Sequence, residues 1–209
     1  MDLVYNGVPV EKYKLEDVTR FESPVTRMLL AGRISVQKGQ MDAIKAVELL
    51  MQRGIDTVLL TLVGQGETKE YLEYVKSYVK EHELEQKICI LEHHDDLREL
   101  RRQCDIGLTC SKKEAFGRVT VENMLAKMLV IGANTGGTLE IVEDGYNGLL
   151  YEEGNPESLA GRIEYAMEHK MDMQILLDRG YLDSINRFSS TTLIESILNL
   201  YCLLYTSPS

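Results

Sequence analysis

Short apolar runs alternate with segments of helical periodicity along most of this chain. Apolar runs with few polar interruptions are typical of strands that are buried on both faces of a parallel sheet. Such runs occur at residues 27–31, 57–63, 88–91, 106–110, 129–131 and 148–151. Elsewhere apolar residues recur every three or four positions, which predicts helices. These segments lie at residues 41–53, 69–82, 95–104, 121–126, 156–169, 171–185 and 191–204, with a short helix ending at Ile141.

The alternation of the two patterns decides the fold class. It predicts an α/β protein with a Rossmann-like parallel six-stranded sheet and helices on both faces. Residues 1–25 are irregular and are interpreted as a linker, with a strand end and a turn at residues 5–10. Residues 26–170 form the sheet domain, and residues 171–201 add C-terminal helices. Residues 202–209 match the translation of a transposon sequencing adapter, so we expect an artefactual tail there rather than an ordinary terminus.

The amino-acid composition and net charge limit the kinds of molecule that this chain is expected to bind. The 209 residues carry a formal net charge of −10 and a pI of about 5.0, which argues against nucleic acid and anionic membranes as default ligands. No apolar run approaches the roughly 20 residues of a membrane span, and the N-terminus lacks the pattern of a signal peptide. Cys89, Cys104 and Cys110 lie in or beside apolar runs, so we expect buried thiols in a reducing, cytoplasmic compartment.

Positive side chains follow the first predicted strand. Arg33 and Lys38 flank a loop that leads into the next helix, at the carboxyl edge where parallel sheets bind ligands. Two cations there could neutralise a diphosphate, Arg33 through forked hydrogen bonds and Lys38 as a point charge. The spacing alone fits a solvated loop pair at least as well.

The stretch from Glu114 to Glu122 joins a strand to a helix through a glycine turn. Free backbone N–H groups at such a turn and helix start can bind phosphorylated ligands. The residues that could contribute to such a site are Phe116, Gly117, Arg118, Val119 and Thr120. By residue type alone, Glu122 could simply complement the dipole of a helix in its first turn, and Glu114 could be a solvated loop acid.

Two other clusters have simple structural explanations. Gly64 and Gly66 turn the chain after the second strand, and a tight turn accounts for them. Lys69 stands where a dinucleotide-binding fingerprint needs glycine, which disfavours an NAD site. The cluster at residues 93–96, two histidines followed by two aspartates, could suggest a metal. Its spacing fits no usual ligand set, and either aspartate makes a good helix N-cap.

Several short motifs occur together in a familiar order and at familiar distances. They are Gly32-Arg33, Lys38-Gly39, Leu62-Val63-Gly64-Gln65-Gly66, Glu114-Ala115-Phe116-Gly117 with Glu122, and the runs at residues 135–142 and 144–150. As a set they resemble the C-terminal, donor-binding domain of GT-B fold glycosyltransferases of the family 4 type, over roughly residues 3–170. The resemblance implies one of two Rossmann-like domains that face each other across a cleft. The other domain, which carries most of the acceptor site in that family, is then absent.

The resemblance implies a role for each charged candidate. Arg33 and Lys38 bind the diphosphate and support its departure, and Glu122 binds the ribose diol. Glu114 contacts the donor sugar and can stabilise the positive charge that builds on the anomeric carbon. These four side chains are therefore expected to lie around one ligand.

The remaining motifs complete the expected site. The backbone of residues 116–120 is implied to bind sugar hydroxyls and the distal phosphate, although the Phe116 side chain fits core packing better. Residues 64–66 are implied to lie beside the nucleotide and residues 93–96 near its base. No Asp-x-Asp occurs in the chain, so we expect no metal and no other cofactor, with Arg33 and Lys38 neutralising the diphosphate instead.

The implied activity is hexosyl transfer with retained anomeric configuration, in polysaccharide biosynthesis. The donor is a UDP- or GDP-sugar, and the acceptor is a hydroxyl on a glycan or lipid-linked molecule. As a fragment, the chain is expected to bind donor weakly and to transfer little, and peripheral membrane contact is open for the full-length protein. Two alternatives also remain open: a sugar-nucleotide epimerase of related build, and a nucleotide-sugar-binding module without turnover.

Overall fold

The computed structural model describes the backbone of residues 5–15, 17–94 and 96–206, and the side chains of these residues up to position 199 and of Tyr201. Its strands are β1 Thr26–Ala31, β2 Val58–Val63, β3 Ile88–Leu91, β4 Ile106–Thr109, β5 Leu129–Ala133 and β6 Leu149–Tyr151. All pairings are parallel, in the order β3-β2-β1-β4-β5-β6. The predicted six-stranded parallel sheet is confirmed.

The helices follow the predicted periodic segments closely. Within the described residues they are α1 Val10–Tyr13, α2 Gln40–Gln52, α3 Lys69–Glu81, α4 Leu97–Gln103, α5 Arg118–Leu125, α6 Thr138–Ile141, α7 Pro156–Glu168, α8 Lys170–Phe188 and α9 Ser190–Thr206. A 3-10 turn, Val36–Lys38, precedes α2. The start of α7 has a side-chain cap: the side chain of Asn155 accepts a hydrogen bond from the Ser158 N–H.

Side chains of β1 alternate between two apolar layers. Met28 and Leu30 join the larger cluster, which packs against α2, α3 and α7. Leu29 and Ala31 join the layer on the opposite face, which contains apolar residues of α4 and α5. Because helices cover both faces, the strands are largely apolar, although β1 also contains Thr26 and Arg27.

The strand order reverses between β1 and β4. The chain moves outward from β1 through β2 to β3, then returns across the sheet so that β4 pairs with β1, with Met28 opposite Ile106. In doubly wound sheets the loops at the carboxyl ends of two such strands diverge to opposite faces and leave a crevice between them. The fold therefore brings the loop after β1 beside the loop after β4.

The N-terminal segment differs from its predicted structure. Val8 forms a single parallel bridge with Ser189, and the short helix α1 follows where a turn was expected. Further along, the buried Arg20 side chain ties this segment to the ends of α4 and α5. It donates hydrogen bonds to the backbone carbonyls of Arg102, Cys104, Ala126 and Lys127. Carbonyls at helix ends lack partners within the helix, so a buried guanidinium satisfies several at once.

The C-terminal helices pack on the same core. Met173, Leu176 and Leu177 of α8 join the larger cluster, so α8 is a structural part of the sheet domain. The division of the chain at residue 170 stays a prediction, and residues 207–209 of the expected tail lie outside the described part. No described helix combines the length and the apolar character that crossing a membrane requires.

One cysteine was predicted wrongly. Cys104 and Cys110 are buried, and burial raises the pKa of each thiol to about 12. Cys89 is exposed, because its strand β3 forms the edge of the sheet and is only partly covered. An apolar run predicts a strand but not whether that strand is central.

Candidate functional site

The loops after β1 and β4 are joined directly at the switch point. The Lys112 N–H donates a hydrogen bond to the Gln37 carbonyl at 2.9 Å, which links the 3-10 turn after β1 to the loop after β4. Gly39, at the end of that turn, packs so closely that an added Cβ would lie 2.1 Å from the Cys110 carbonyl oxygen. The position of Lys38 is therefore set by backbone contacts on both sides.

Lys38 and Glu114 form an ion pair across this junction. Lys38 Nζ lies 2.7 Å from Glu114 Oε2, and the two side chains are 32% and 22% exposed. Burial raises the pKa of the Glu114 carboxyl, but the hydrogen bond and charge of Lys38, together with hydrogen bonds from Ser111 and the Gly117 N–H, outweigh burial and hold that pKa below its ordinary value of 4.5. The Glu114 carboxyl is thus ionised at neutral pH, and the pair is partly open to solvent.

The loop that carries Glu114 is braced from both ends. Its carbonyl accepts a hydrogen bond from the Gly137 N–H at 2.7 Å, and its carboxylate accepts one from the Gly117 N–H at 3.3 Å. Gly117 has a φ of 87°, a conformation that favours glycine, and α5 begins at the next residue. Gly136-Gly137 therefore supports the Glu114 loop through backbone contacts, as a strand-to-helix turn would.

The backbone donors expected at residues 116–120 are only partly free. The Gly117 N–H is directed at Glu114, and the Thr120 N–H bonds back to the Gly117 carbonyl at 2.9 Å. For the N–H groups of Arg118 and Val119, the described chain provides no acceptor, as is usual in the first turn of a helix. These two N–H groups are the ones available to an anion.

The Phe116 side chain belongs to the core. Its ring meets that of Phe188 edge to face, with centroids 5.9 Å apart, and that of Tyr5 at 6.5 Å. Thr120 is also buried, and its hydroxyl has no hydrogen-bond partner among the described residues. Both side chains therefore pack in the interior next to the start of α5.

Glu122 lies deeper than its predicted place. Since α5 begins at Arg118, Glu122 falls in the second turn of the helix and not in the first, where a dipole role would apply. Its side chain is only 5% exposed, and its two oxygens have different partners. Oε2 lies 2.6 Å from Arg101 Nη2, and Oε1 lies 3.1 Å from Arg118 Nε.

Arg101 is a site residue that sequence reasoning missed. Its Nε donates to Asn123 Oδ1 at 3.1 Å, and its guanidinium lies 5.4 Å from the centroid of the Tyr13 ring. Burial lowers the pKa of Arg101, and the charge of Glu122 opposes that shift. In the sequence Arg101 is one of several arginines in a polar helix, so no local signal distinguishes it.

A hollow of about 370 Å³ opens beside this buried pair. Its lining includes Tyr13, His94, Arg98, Arg101, Arg118 and Glu122. Lys38 and Glu114 line a separate, smaller depression that also reaches Gly117, Val119 and Thr120. The first turn of α5 lies between the two, because Arg118 lines one and Val119 the other.

Arg33 is the candidate farthest from this arrangement. Its side chain is 66% exposed and pairs with Glu67, with Nη1 3.3 Å from Oε1. It lines neither the hollow beside Glu122 nor the depression beside Glu114. Among the expected cations, the described structure thus brings Lys38 and not Arg33 next to the carboxylates.

Gly64 and Gly66 have structural reasons for being glycine. Gly64 has a φ of 152°, and an added Cβ would lie 2.0 Å from the Gly32 carbonyl oxygen, so the loops after β1 and β2 could not pack together. Gly66 forms a parallel bridge with Ile34. An added Cβ on Gly66 would lie 2.9 Å from Leu72 Cβ and 3.0 Å from the Thr68 carbonyl oxygen, so close packing accounts for both glycines.

The 93–96 cluster caps a helix. Asp96 accepts hydrogen bonds from the N–H groups of Arg98 and Glu99 and is the N-cap of α4, as predicted; Asp95 lies outside the described residues. In the part of the chain that the structure describes, no three His, Cys, Asp or Glu side chains gather as a metal-binding group. His94 faces the hollow beside Glu122.

Together these features define a doubly wound α/β domain whose switch point gathers cations, carboxylates and free helix N–H groups. The family model of glycosyl transferases group 1 matches residues 13–181, and the chain belongs to this family. The capsular polysaccharide biosynthesis glycosyltransferase CapM of Staphylococcus aureus is 23% identical over 94% of this chain and 52% of its own length. The chain spans about half the length of the curated relatives that it matches.

Solved structures agree with this family. Anabaena Alr3699/HepE in complex with UDP matches with a TM-score of 0.86 and 25% identity, covering 96% of this chain and 57% of that one. The same protein in complex with UDP-glucose matches with a TM-score of 0.84. The C-terminal domain of LpcC, a glycosyl transferase group 1 family protein of Francisella tularensis, shares the fold over 88% of this chain and all of its own length, with 22% identity and a TM-score of 0.77. The predicted C-terminal GT-B domain is confirmed.

Proposed function

We propose that this chain is the donor-binding half of a retaining glycosyltransferase of the family 4 type. It binds a nucleotide-diphosphate sugar, and the full-length protein transfers the hexosyl group to a hydroxyl of a glycan or lipid-linked acceptor. The observation that carries the proposal is the Lys38–Glu114 pair, with Nζ and Oε2 2.7 Å apart, beside the open first turn of α5. A cation, a carboxylate and free N–H groups that lie close together support the binding of one anionic ligand there.

The diphosphate is the part of the donor that Lys38 fits. An ammonium group has three donors, so Lys38 can keep its contact with Glu114 and also bind a phosphate oxygen. The N–H groups of Arg118 and Val119 add partial positive charge at the helix N-terminus. Arg33 approaches from the exposed side once it leaves Glu67. These groups neutralise the leaving diphosphate without a divalent metal.

The two carboxylates bind different parts of the donor. Glu122 accepts the ribose hydroxyls in the larger hollow, and Glu114 accepts hydroxyls of the sugar at the junction of the two loops. As the glycosidic bond to the diphosphate breaks, positive charge develops at the anomeric carbon, and the ionised Glu114 stabilises it. The depressed pKa of Glu114 keeps the carboxylate charged for this role.

Two comparisons support the proposed classes of donor and acceptor. HepE, which matches at 25% identity, was solved with UDP and with UDP-glucose, so a uridine-diphosphate sugar is the donor class that we favour. CapM is named for capsular polysaccharide biosynthesis, which agrees with a glycan acceptor. We assign the acceptor site to the N-terminal domain of the full-length protein.

The proposal is tested by the affinity of UDP and GDP for this chain. Lys38→Ala should weaken binding of the better nucleotide about 10-fold or more, because a charge-assisted hydrogen bond to phosphate is lost. The matched control is Lys45→Ala, which removes an exposed lysine from α2. NMR titration measures both, and equal affinities for the two variants would contradict the site.

Activity of the full-length protein separates the alternatives. Sugar transfer that requires an added acceptor supports the proposal. Conversion of the donor sugar in the absence of any acceptor would indicate an epimerase, and binding without turnover over a panel of acceptors would indicate a binding module.

A further inference from the structure

Arg101 touches Glu122 in the wall of the larger hollow, although no motif marks it. We propose that Arg101 is a positioning residue, which holds the Glu122 carboxylate in the orientation that accepts the ribose hydroxyls of the donor. The inference rests on the proposed function, because it takes Glu122 as the ribose acceptor. It adds a residue that presents the acceptor and does not itself contact the reacting atoms.

Three contacts fix the guanidinium of Arg101. Nη2 binds Glu122 Oε2 at 2.6 Å, and Nε binds Asn123 Oδ1 at 3.1 Å. The Tyr13 ring lies 5.4 Å from the guanidinium carbon. Because Glu122 and Asn123 are neighbours on α5, the planar guanidinium of Arg101 binds two adjacent side chains of one helix. Such a fork restricts the rotation of the Glu122 carboxylate.

Asn123 has little other reason to be polar. It is fully buried, and its Nδ2 has no hydrogen-bond partner among the described residues. An added Cβ on Gly107 would lie 2.5 Å from that Nδ2, so β4 also leaves space for the amide. A buried donor without a partner is unfavourable, and the bond from Arg101 to Oδ1 is the contact that accounts for the residue.

The two arginines on Glu122 differ in solvent exposure. The Arg101 side chain is 2% exposed, whereas that of Arg118 is 72% exposed. A carboxylate has about four lone-pair directions, so Oε2 can accept a hydroxyl while Arg101 stays in place. Arg118 can swing into solvent and leave Oε1 open to the second hydroxyl. Arg101 is thus the permanent partner and Arg118 the exchangeable one.

Fold stability alone does not require this pair. Desolvation offsets most of the attraction in a buried ion pair, and apolar residues of similar size often serve a core as well. Here the pair faces a hollow of about 370 Å³ instead of a packed interior. Its distinctive effect is the orientation of a carboxylate toward that space.

The experiment measures how strongly binding depends on the ribose hydroxyls. UDP and 2′,3′-dideoxy-UDP are titrated into the 209-residue chain and followed by NMR, with GDP and its dideoxy analogue used instead where GDP binds more tightly. The wild-type chain should prefer the ribonucleotide about 10-fold or more, since hydroxyl hydrogen bonds to a carboxylate are lost in the analogue. Arg101→Met should reduce this preference to about twofold or less by the same reasoning.

Two milder variants guard against a failure to fold. Arg101→Lys keeps the charge but loses the fork, and Asn123→Ala removes the second anchor of the guanidinium; each should give an intermediate preference. The matched control is Arg20→Met. Arg20 is also a buried arginine, but its recorded partners are backbone carbonyls away from the hollow, so its loss should lower the melting temperature and leave the preference unchanged.

The possible outcomes distinguish the positioning role of Arg101 from the ribose-binding role of Glu122. A wild-type preference that persists in Arg101→Lys and Asn123→Ala overturns the positioning role of Arg101 while leaving Glu122 as the ribose acceptor. A wild-type chain that does not distinguish the dideoxy analogue, or that binds neither nucleotide, overturns the proposed role of Glu122 and the inference with it. A preference that falls in the Arg101 and Asn123 variants but not in Arg20→Met supports the inference.

Discussion

Two ion pairs of similar length differ in how deeply they are buried. Lys38 and Glu114 approach to 2.7 Å with side chains 32% and 22% exposed, whereas Arg101 and Glu122 approach to 2.6 Å at 2% and 5%. Distance alone would rank them as equals. Burial separates a pair that can exchange partners with a ligand from one that is held in a single arrangement.

The difference follows from where each pair sits in the fold. Lys38 and Glu114 belong to two adjacent loops at the switch point, and both side chains stay partly exposed to solvent. Arg101 and Glu122 project from neighbouring helices on one face of the sheet, under the ring of Tyr13. In the proposed function, the open loop pair binds the phosphate and the buried helix pair orients the ribose acceptor.

The largest expected effect concerns the buried pair. Arg101→Met should lower the free energy of unfolding by about 3–5 kcal/mol, because it leaves the Glu122 carboxylate buried without its closest partner. Adding Glu122→Met should recover most of that loss, since no buried charge then lacks a partner. Urea unfolding at neutral pH measures both. A double variant that is as unstable as the single one would mean that the pair itself stabilises the fold.

A smaller effect is expected from the open pair, and it depends on pH. The folded-state pKa of Glu114 lies below its ordinary value of 4.5, so the carboxylate adds stability above that value, which is lost as the pH falls through the lower folded value. Partly exposed ion pairs contribute about 1 kcal/mol or less. Lys38→Met should therefore flatten the acid dependence of the unfolding free energy, and Glu114→Gln should flatten it similarly. An unchanged acid slope in both variants would contradict the ion pair.

The smallest effect is expected at Arg33. Its pair with Glu67 is exposed, so Arg33→Ala should change the free energy of unfolding by about 0.5 kcal/mol or less. Because Arg33 lines neither depression, the variant should also weaken nucleotide binding less than Lys38→Ala does. Calorimetric unfolding and nucleotide titration give the two values. A loss of affinity as large as that of Lys38→Ala would move Arg33 into the centre of the site.

Sequence reasoning recovered the elements better than the contacts between them. The apolar runs predicted all six strands, since a strand covered on both faces has few polar positions to interrupt it. Cys89 was misplaced because periodicity does not reveal which strand is at the edge. Glu122 was assigned to a first turn because the helix start at Arg118 depends on the backbone conformation of Gly117. The roles of the site residues stay predictions.

By itself, the sequence determined the layered α/β architecture, the family and the edge of the sheet where charged loops collect, because these depend on local periodicity and on motif order. Only the tertiary structure decided which cation meets which acid. Lys38 and Glu114 are 76 positions apart and meet because β4 pairs with β1, and Arg101 meets Glu122 because α4 and α5 cover the same face. Strand order and helix placement are cooperative properties of the packed chain, so no local pattern could have singled out Arg101 as the partner of Glu122.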